Sequence, residues 1–253
     1  MTGRDTAPWP HGWLRADWPA PARVRTLVTT RAGGGSRAPH DAMNLGSRCG
    51  DDPAAVAGNR ALLRALLPAD PVWMKQVHGT RVVEADAGKG DEPEADAAVA
   101  RAPGTVCAVL TADCLPVFLC DESGSVVALA HAGWRGLAGG VLENTVRAMG
   151  VAPDRLMAWI GPGIAAPAYE VGAEVRDAFV ADDAADAGAF HPTRPGHWLA
   201  DLPLLARRRL ARVGVARAGG GTLCTHADAR RFYSFRRDGA TGRFASLIWI
   251  QPS

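Results

Sequence analysis

At 253 residues, 47% of them hydrophobic and 21% charged, the chain has the composition of a globular protein long enough for one continuous core. A formal charge of +2 falls short of the basicity of a nucleic-acid binder and leaves small molecules as the expected partners. No stretch approaches the roughly eighteen apolar residues of a membrane span, and five irregularly spaced cysteines do not make a disulfide framework, so a cytoplasmic setting is expected.

Residues 1–22, which carry charges and four prolines, lack the apolar centre of a signal peptide and read as an N-terminal extension to a domain spanning 23–253. The first expected strand is "RVRTLVTT" at 23–30, followed by a Gly- and Pro-rich surface loop, "RAGGGSRAPHD". Helical periodicity then appears over 53–67, and a strand pattern in "VWMKQVHG" at 72–79. "ADAGKGDEPEADAA" reads as a further loop or lid. Three apolar runs follow, at 105–112, 115–121 and 125–132, all of strand length. Beyond them come a helix pattern over 137–150, a strand in "LMAWIGP", a helix over 171–182, the loop "ADDAADAGAFHPTRPG", a helix over 199–214 and a last strand, "FASLIWIQ". The mixture of strands and helices without regular alternation gives an α+β (mixed α/β) class.

Three side chains stand where chemistry is expected. Cys114 lies between two strand patterns in "LTADCLPVFLCD", His131 closes the next strand in "HAGWRG", and His78 ends an earlier one in "KQVHGT". A thiolate and two imidazoles are a ligand set that zinc accepts, and three protein ligands leave a fourth position open, as catalytic sites do. Their spacing matches no short finger-like pattern, and a lone cysteine is often a small buried hydrophobe; Cys107 and Cys120, inside apolar strands, read that way. His11, His40, His191, His197 and His226 lie in polar or Pro-containing segments and are expected as solvated surface or loop residues.

The words "VTTRAGG", "MNLGSRCGDDP", "KQVHGTRV", "TADCLPV", "HAGWRG", "GPGIAAPAYEVG" and "FYSFRRDGATGR" resemble, in order and from about residue 24 to 250, the family known as laccase-domain or polyphenol oxidase and also as purine nucleoside phosphorylase. The resemblance implies a single domain of four layers, helices outside two packed β-sheets, with a zinc ion held by His78, Cys114 and His131. It implies phosphorolysis of adenosine, inosine, guanosine and methylthioadenosine, with adenosine deamination at the same site. Copper-dependent oxidation of phenols and correction of peptidoglycan precursors are attached to the family as well. Arg48 and Ala165 depart from the family's usual residues, without touching the three ligands.

Four-copper chemistry needs roughly ten histidines, mostly in His-X-His pairs, whereas this chain has seven and no such pair; a single copper on the same three ligands is the copper alternative. For phosphorolysis, Arg48 and Arg135 are the candidate phosphate clamp, the latter just before an expected helix, with pairing to a structural carboxylate as its alternative. Asp113 is a candidate to orient an imidazole or serve as acid or base beside Cys114 and His131. Asn44, Gln76 and Tyr169 are candidates to bind base or ribose, with turn and core roles open for Asn44 and Tyr169. Arg236, Arg237 and Arg243 form a basic cluster expected in salt bridges or on a solvated face, with phosphate contact as the alternative. Two rival readings stay open: a metal-free cysteine hydrolase with Cys114 as nucleophile, and a non-catalytic module. With no exposed heptad or interface segment, a monomer is expected.

Overall fold

In the computed structural model, residues 9–86 and 92–252 are described; the first eight residues of the expected N-terminal extension and the centre of the 85–98 loop lie outside them. The larger sheet has six strands in the order β12 (Arg217–Gly220), β8 (Leu156–Ile160), β6 (Leu115–Asp121), β7 (Val127–Ala132), β4 (Ala97–Ala100) and β3 (Val82–Glu84). A second sheet of four runs β1 (Val24–Val28), β13 (Phe244–Ile250), β5 (Val106–Thr111) and β2 (Pro71–Val72). A small third sheet orders β10 (Phe190–Arg194), β11 (His197–Ala200) and β9 (Glu170–Gly172).

The apolar runs are continuous because both faces of their strands are buried, each against a different core. In β6, Val117 and Leu119 face helices while Phe118 and Cys120 face the other sheet; in β5, Cys107 and Val109 face the larger sheet while Val106 and Ala108 look outward. That period of two is what a pleated strand imposes. The helices α2 (Trp134–Gly139), α3 (Val141–Met149), α4 (Ala173–Val180) and α5 (Leu202–Arg212) cover the larger sheet. The outer face of the smaller sheet is covered by α1 (Pro53–Arg64) together with Trp13 from the N-terminal segment, whose Leu14 pairs with Val28. A short α6 (Phe235–Asp238) lies just before β13. The result is the expected single mixed domain of four layers, helix, sheet, sheet, helix.

Several expectations are corrected. Within 72–79 the strand proper ends at Val72, and only a single bridge, Lys75 with Glu94, follows before the chain turns at His78, whose φ is +61°. The single helix expected over 137–150 is two, α2 and α3, broken where Gly140 takes the left-handed φ of 96°. The stretch 181–196, expected as loop, contains a 3-10 turn and β10. His40, expected as a solvated surface or loop residue, lies in a loop but is buried, its ring Nε2 3.0 Å from the Cys49 carbonyl oxygen.

Candidate metal centre and its cavity

Three separate stretches of chain meet at one end of the two sheets. Cys114 occupies the crossover by which the chain leaves β5 in the smaller sheet and enters β6 in the larger. The antiparallel pairing of β6 with β7, Leu115 opposite Ala132 and Pro116 opposite His131, sets His131 beside the cysteine. His78 arrives from the turn after β2. The donor atoms of His78, Cys114 and His131 lie within 4.8 Å of one another, with Cys114 Sγ 3.7 Å from His78 Nε2. Gly133 completes the geometry: a Cβ there would stand 2.7 Å from His78 Cδ2 and 2.9 Å from Cys114 Sγ, so a side chain would push the donors apart. His131 is buried, Cys114 half-buried and His78 exposed, an arrangement closed beneath and open toward one cavity.

The residue that organises this cluster is Asp96, which the sequence reading did not select. Its carboxylate accepts hydrogen bonds from the backbone N–H groups of Val77 (3.2 Å), His78 (2.9 Å) and Gly79 (2.7 Å), and from His131 Nδ1 at 2.8 Å. The three backbone bonds offset the strain of His78's left-handed conformation. The fourth fixes the His131 tautomer, leaving the Nε2 lone pair for a cation, as carboxylates do behind metal-bound imidazoles. Although burial works in the other direction, the His131 bond and charge and the Gly79 and Val77 N–H groups hold Asp96 below the usual carboxylate range.

Asp113 does not orient the His131 imidazole, one of the two roles expected of it. It too sits at positive φ, 95°, but its oxygens accept from Thr225 Oγ1 at 2.6 Å and from the Arg236 backbone N–H at 2.7 Å. Both oxygens are thus occupied in tying the 225 and 235 segments to the crossover, and the imidazole is oriented by Asp96 instead.

The ligands open into a cavity of about 480 Å³, within the size range of small-molecule sites. Five arginines line it: Arg48, Arg60, Arg135, Arg236 and Arg243. Arg48 and Arg60 both pair with Glu92, at 2.6 and 3.2 Å. Arg135 makes no ion pair among the described residues; its guanidinium lies 4.4 Å above the Trp134 ring. Arg236 and Arg243 likewise lack carboxylate partners there, and hydrogen-bond to backbone carbonyls. Arg237, by contrast, is structural, bound to Asp238 and to the Thr225, His226 and Phe232 carbonyls. Of Arg236, Arg237 and Arg243, Arg237 is in a salt bridge as expected while Arg236 and Arg243 line the cavity, and of the two arginines expected as a clamp only Arg135 is without a carboxylate among the described residues.

Tyr169 lines the cavity beneath Arg236, whose guanidinium is 5.0 Å from its ring centroid, and burial pushes its phenol pKa up, so the hydroxyl remains a donor. Gln76 also lines the cavity, but its amide is bonded twice to the Leu110 backbone, at 2.8 Å each way. Asn44 is fully buried behind the wall, where it donates to the Gly46 carbonyl and Asp51 and accepts from the N–H groups of Gly46 and Arg243. It positions Arg243 rather than facing the cavity.

Burial alone raises a thiol pKa, but the charge and hydrogen bond of His131, together with His78, bring Cys114 down to about 6. The reciprocal effect lifts His131 to about 9 against its own burial penalty, so the metal-free pair is thiolate and imidazolium at neutral pH. Cys107 and Cys120, by contrast, are pushed up by burial. In metal-free protein, iodoacetamide at pH 7 should modify Cys114 ahead of Cys107 and Cys120, with a rate midpoint near 6 where an ordinary thiol titrates near 8.5. Peptide mass mapping across pH checks this; a midpoint above 8 contradicts the ion pair.

The fold and site define a class: a four-layer mixed domain with a cavity whose floor can hold a metal ion on a thiolate and two imidazoles. The profile of the multi-copper polyphenol oxidoreductase laccase family matches residues 25–251, and the chain belongs to that family. It is 54% identical to a purine nucleoside phosphorylase of Pseudomonas aeruginosa, across 95% of this chain and 99% of that one. Identity to the purine nucleoside phosphorylase YfiH of Escherichia coli is 49%, over 92% and 96% of the two chains. Among solved structures, the Neisseria meningitidis protein NMB0706 superposes with a TM-score of 0.93 at 51% identity, covering 95% of this chain and 99% of its own. YlmD from Geobacillus stearothermophilus gives 0.88 at 31% identity, with 96% and 98% covered.

Proposed function

We propose that the protein is a zinc-dependent purine nucleoside phosphorylase, acting on adenosine, inosine, guanosine and methylthioadenosine and deaminating adenosine at the same site. The observation that carries the reading is the pairing, in one cavity, of a His-Cys-His donor set with three arginines that have no carboxylate partner among the described residues. The names of the relatives support the same reaction class. Five free cysteines suit a reducing, cytoplasmic setting, and no helix of the described residues is long and apolar enough to cross a membrane. We take the chain to act as a monomer.

The donor set fits zinc: a soft thiolate, two imidazoles, and one imidazole backed by a carboxylate. Held by His78, Cys114 and His131, zinc supplies a Lewis acid at the cavity floor. The chain's own residues do the rest. Phosphorolysis places phosphate against C1′ while the bond from C1′ to the purine nitrogen breaks, so the anion must be desolvated and held. Arg135, Arg236 and Arg243 supply fixed cationic donors for it, which multiply in strength where water is excluded. Tyr169, kept protonated, offers its hydroxyl to base or ribose. Asp113 acts through Arg236 as a positioning residue.

The test is release of free base from each nucleoside in the presence and absence of phosphate, with zinc-loaded and chelator-treated protein. Phosphate-dependent release, lost on chelation and restored by zinc, is the expected outcome. Replacing Arg135 with alanine should raise the KM for phosphate roughly tenfold to a hundredfold, the range of a lost charge-assisted bond, with a smaller change in the KM for nucleoside. Equal changes in both constants would place Arg135 in the structure of the cavity instead.

One observation favours a second reading. Cys114, His131 and Asp96 form a thiolate, imidazole and carboxylate series resembling that of a metal-free cysteine hydrolase. Alkylation that abolishes turnover in fully chelated protein would favour it. The copper reading has less support: among the described residues the three donors form the one cluster suited to a metal, enough for a single copper and too few for a multicopper centre.

A further inference from the structure

Three aromatic residues line the cavity, Trp134, Tyr169 and Phe235, and their surroundings differ. Trp134 has the Arg135 guanidinium 4.4 Å from its ring centroid, and Tyr169 has Arg236 at 5.0 Å, so each has a face already covered by a cation. Phe235 has neither a ring nor a cation against it among the described residues, and it is 60% exposed. Of the large exposed hydrophobics, Leu62, Leu66, Val77 and Phe235, only Phe235 lines the cavity.

The ring is not on a loose loop. Ser234 Oγ accepts from the Arg237 N–H at 3.3 Å, capping α6, and the Phe235 carbonyl accepts from Gly239 at 2.9 Å. The next residue, Arg236, is tied by its backbone N–H to Asp113, the neighbour of Cys114 in the chain. One short turn therefore fixes an uncovered aromatic face and, one residue later, a cation, both on the same cavity as the donor set. An apolar face with nothing on it, held at the wall of a polar cavity, is complementary to a flat ligand carrying a π-system.

We infer that Phe235 is the platform on which the purine base of the nucleoside stacks, an inference that rests on the nucleoside phosphorylase reading. Stacking reads a face and not an edge, so adenine, hypoxanthine and guanine are held alike, and this site tolerates different purines through Phe235. The adjacent Arg236 serves the anion, so adjoining positions divide base from phosphate.

The experiment compares Phe235→Ala, Phe235→Leu and Phe235→Trp with the parent, all zinc-loaded, by steady-state kinetics on inosine and adenosine at varied phosphate and by calorimetric binding of hypoxanthine. The alanine variant is expected to raise the KM for both nucleosides by about tenfold to a hundredfold, the range of one lost aromatic stack, with the KM for phosphate unchanged. Leucine, of similar bulk but without a π-face, stays impaired; tryptophan restores binding. Because the ring is mostly exposed, the melting temperature of the alanine variant should match the parent, which verifies folding. A nucleoside KM within twofold of the parent overturns the inference, as does full recovery with leucine. If the parent turns over no nucleoside, the phosphorylase reading fails by itself, and hypoxanthine binding decides this point: loss with alanine and recovery with tryptophan supports the platform, and binding indifferent to residue 235 rejects it.

Discussion

The Cys114→Ser variant is expected to lose zinc and turnover together. Serine keeps the size and the hydrogen-bonding ability of the side chain, but its hydroxyl does not ionise near neutrality, so the one anionic donor among three disappears. The remaining imidazoles come from segments that are distant in sequence, and one of them, His78, is exposed. Zinc affinity should fall by more than about a hundredfold, beyond the usual cost of losing a partner that merely supports a ligand. Metal content after dialysis and phosphate-dependent base release are the two measurements. A serine protein that keeps stoichiometric zinc and full activity sinks the proposed centre; one that loses zinc yet keeps activity sinks the role of the metal.

The second large effect belongs to Asp96→Asn. Asp96 is fully buried and accepts four N–H groups through two oxygens. An amide of the same shape retains one oxygen and turns an NH₂ toward donors, so at least one hydrogen bond becomes a repulsion at a fully buried position. About 3 kcal/mol of stability should be lost, the scale of an uncompensated buried polar group. For a chain of this size that corresponds to a fall in melting temperature of about 6–12 °C. Zinc affinity should drop about tenfold to a hundredfold as well, since the His131 ring loses its orienting carboxylate. Melting curves with and without zinc, together with a competition titration against a chromophoric chelator, separate the two losses. Unchanged affinity would show that Asp96 serves only the backbone of the 77–79 turn.

The contrast between these two residues shows what was legible in the sequence. Cys114 interrupts two apolar runs, and a polar break between strands is visible without a structure. So were the strands: β5, β6, β7, β8 and β13 were expected within two or three residues of where they lie, because burial on both faces leaves no polar residue to blur the pattern. Asp96 was hidden in "EPEADAA", which has the composition of a solvated acidic loop. The available signal was weak: one acid flanked by alanines, immediately before a wholly apolar strand, is an acid drawn into the core. Arginine roles were unreadable for a related reason. Arg48, Arg135, Arg236, Arg237 and Arg243 are alike in sequence, and only the placement of Glu92 and Asp238 distinguishes the neutralised ones from the rest. The hairpin of β10 and β11 was missed because its strands are largely exposed and carry proline, charge and turn residues, with little alternation to detect.

The crossover from β5 to β6 has one more consequence, for the order of events as the protein is made. Its cysteine meets His131 as soon as β6 pairs with β7, whereas His78, 36 residues before Cys114, reaches them only through long-range contacts, so the complete donor set is expected late in folding. On the proposed reading the three donors would be gathered by the fold before an ion is held, unlike the donors of a zinc finger. The finished pocket then selects by what the surrounding fluid supplies, and preparations from zinc-rich and copper-rich media should carry different metals on identical scaffolds.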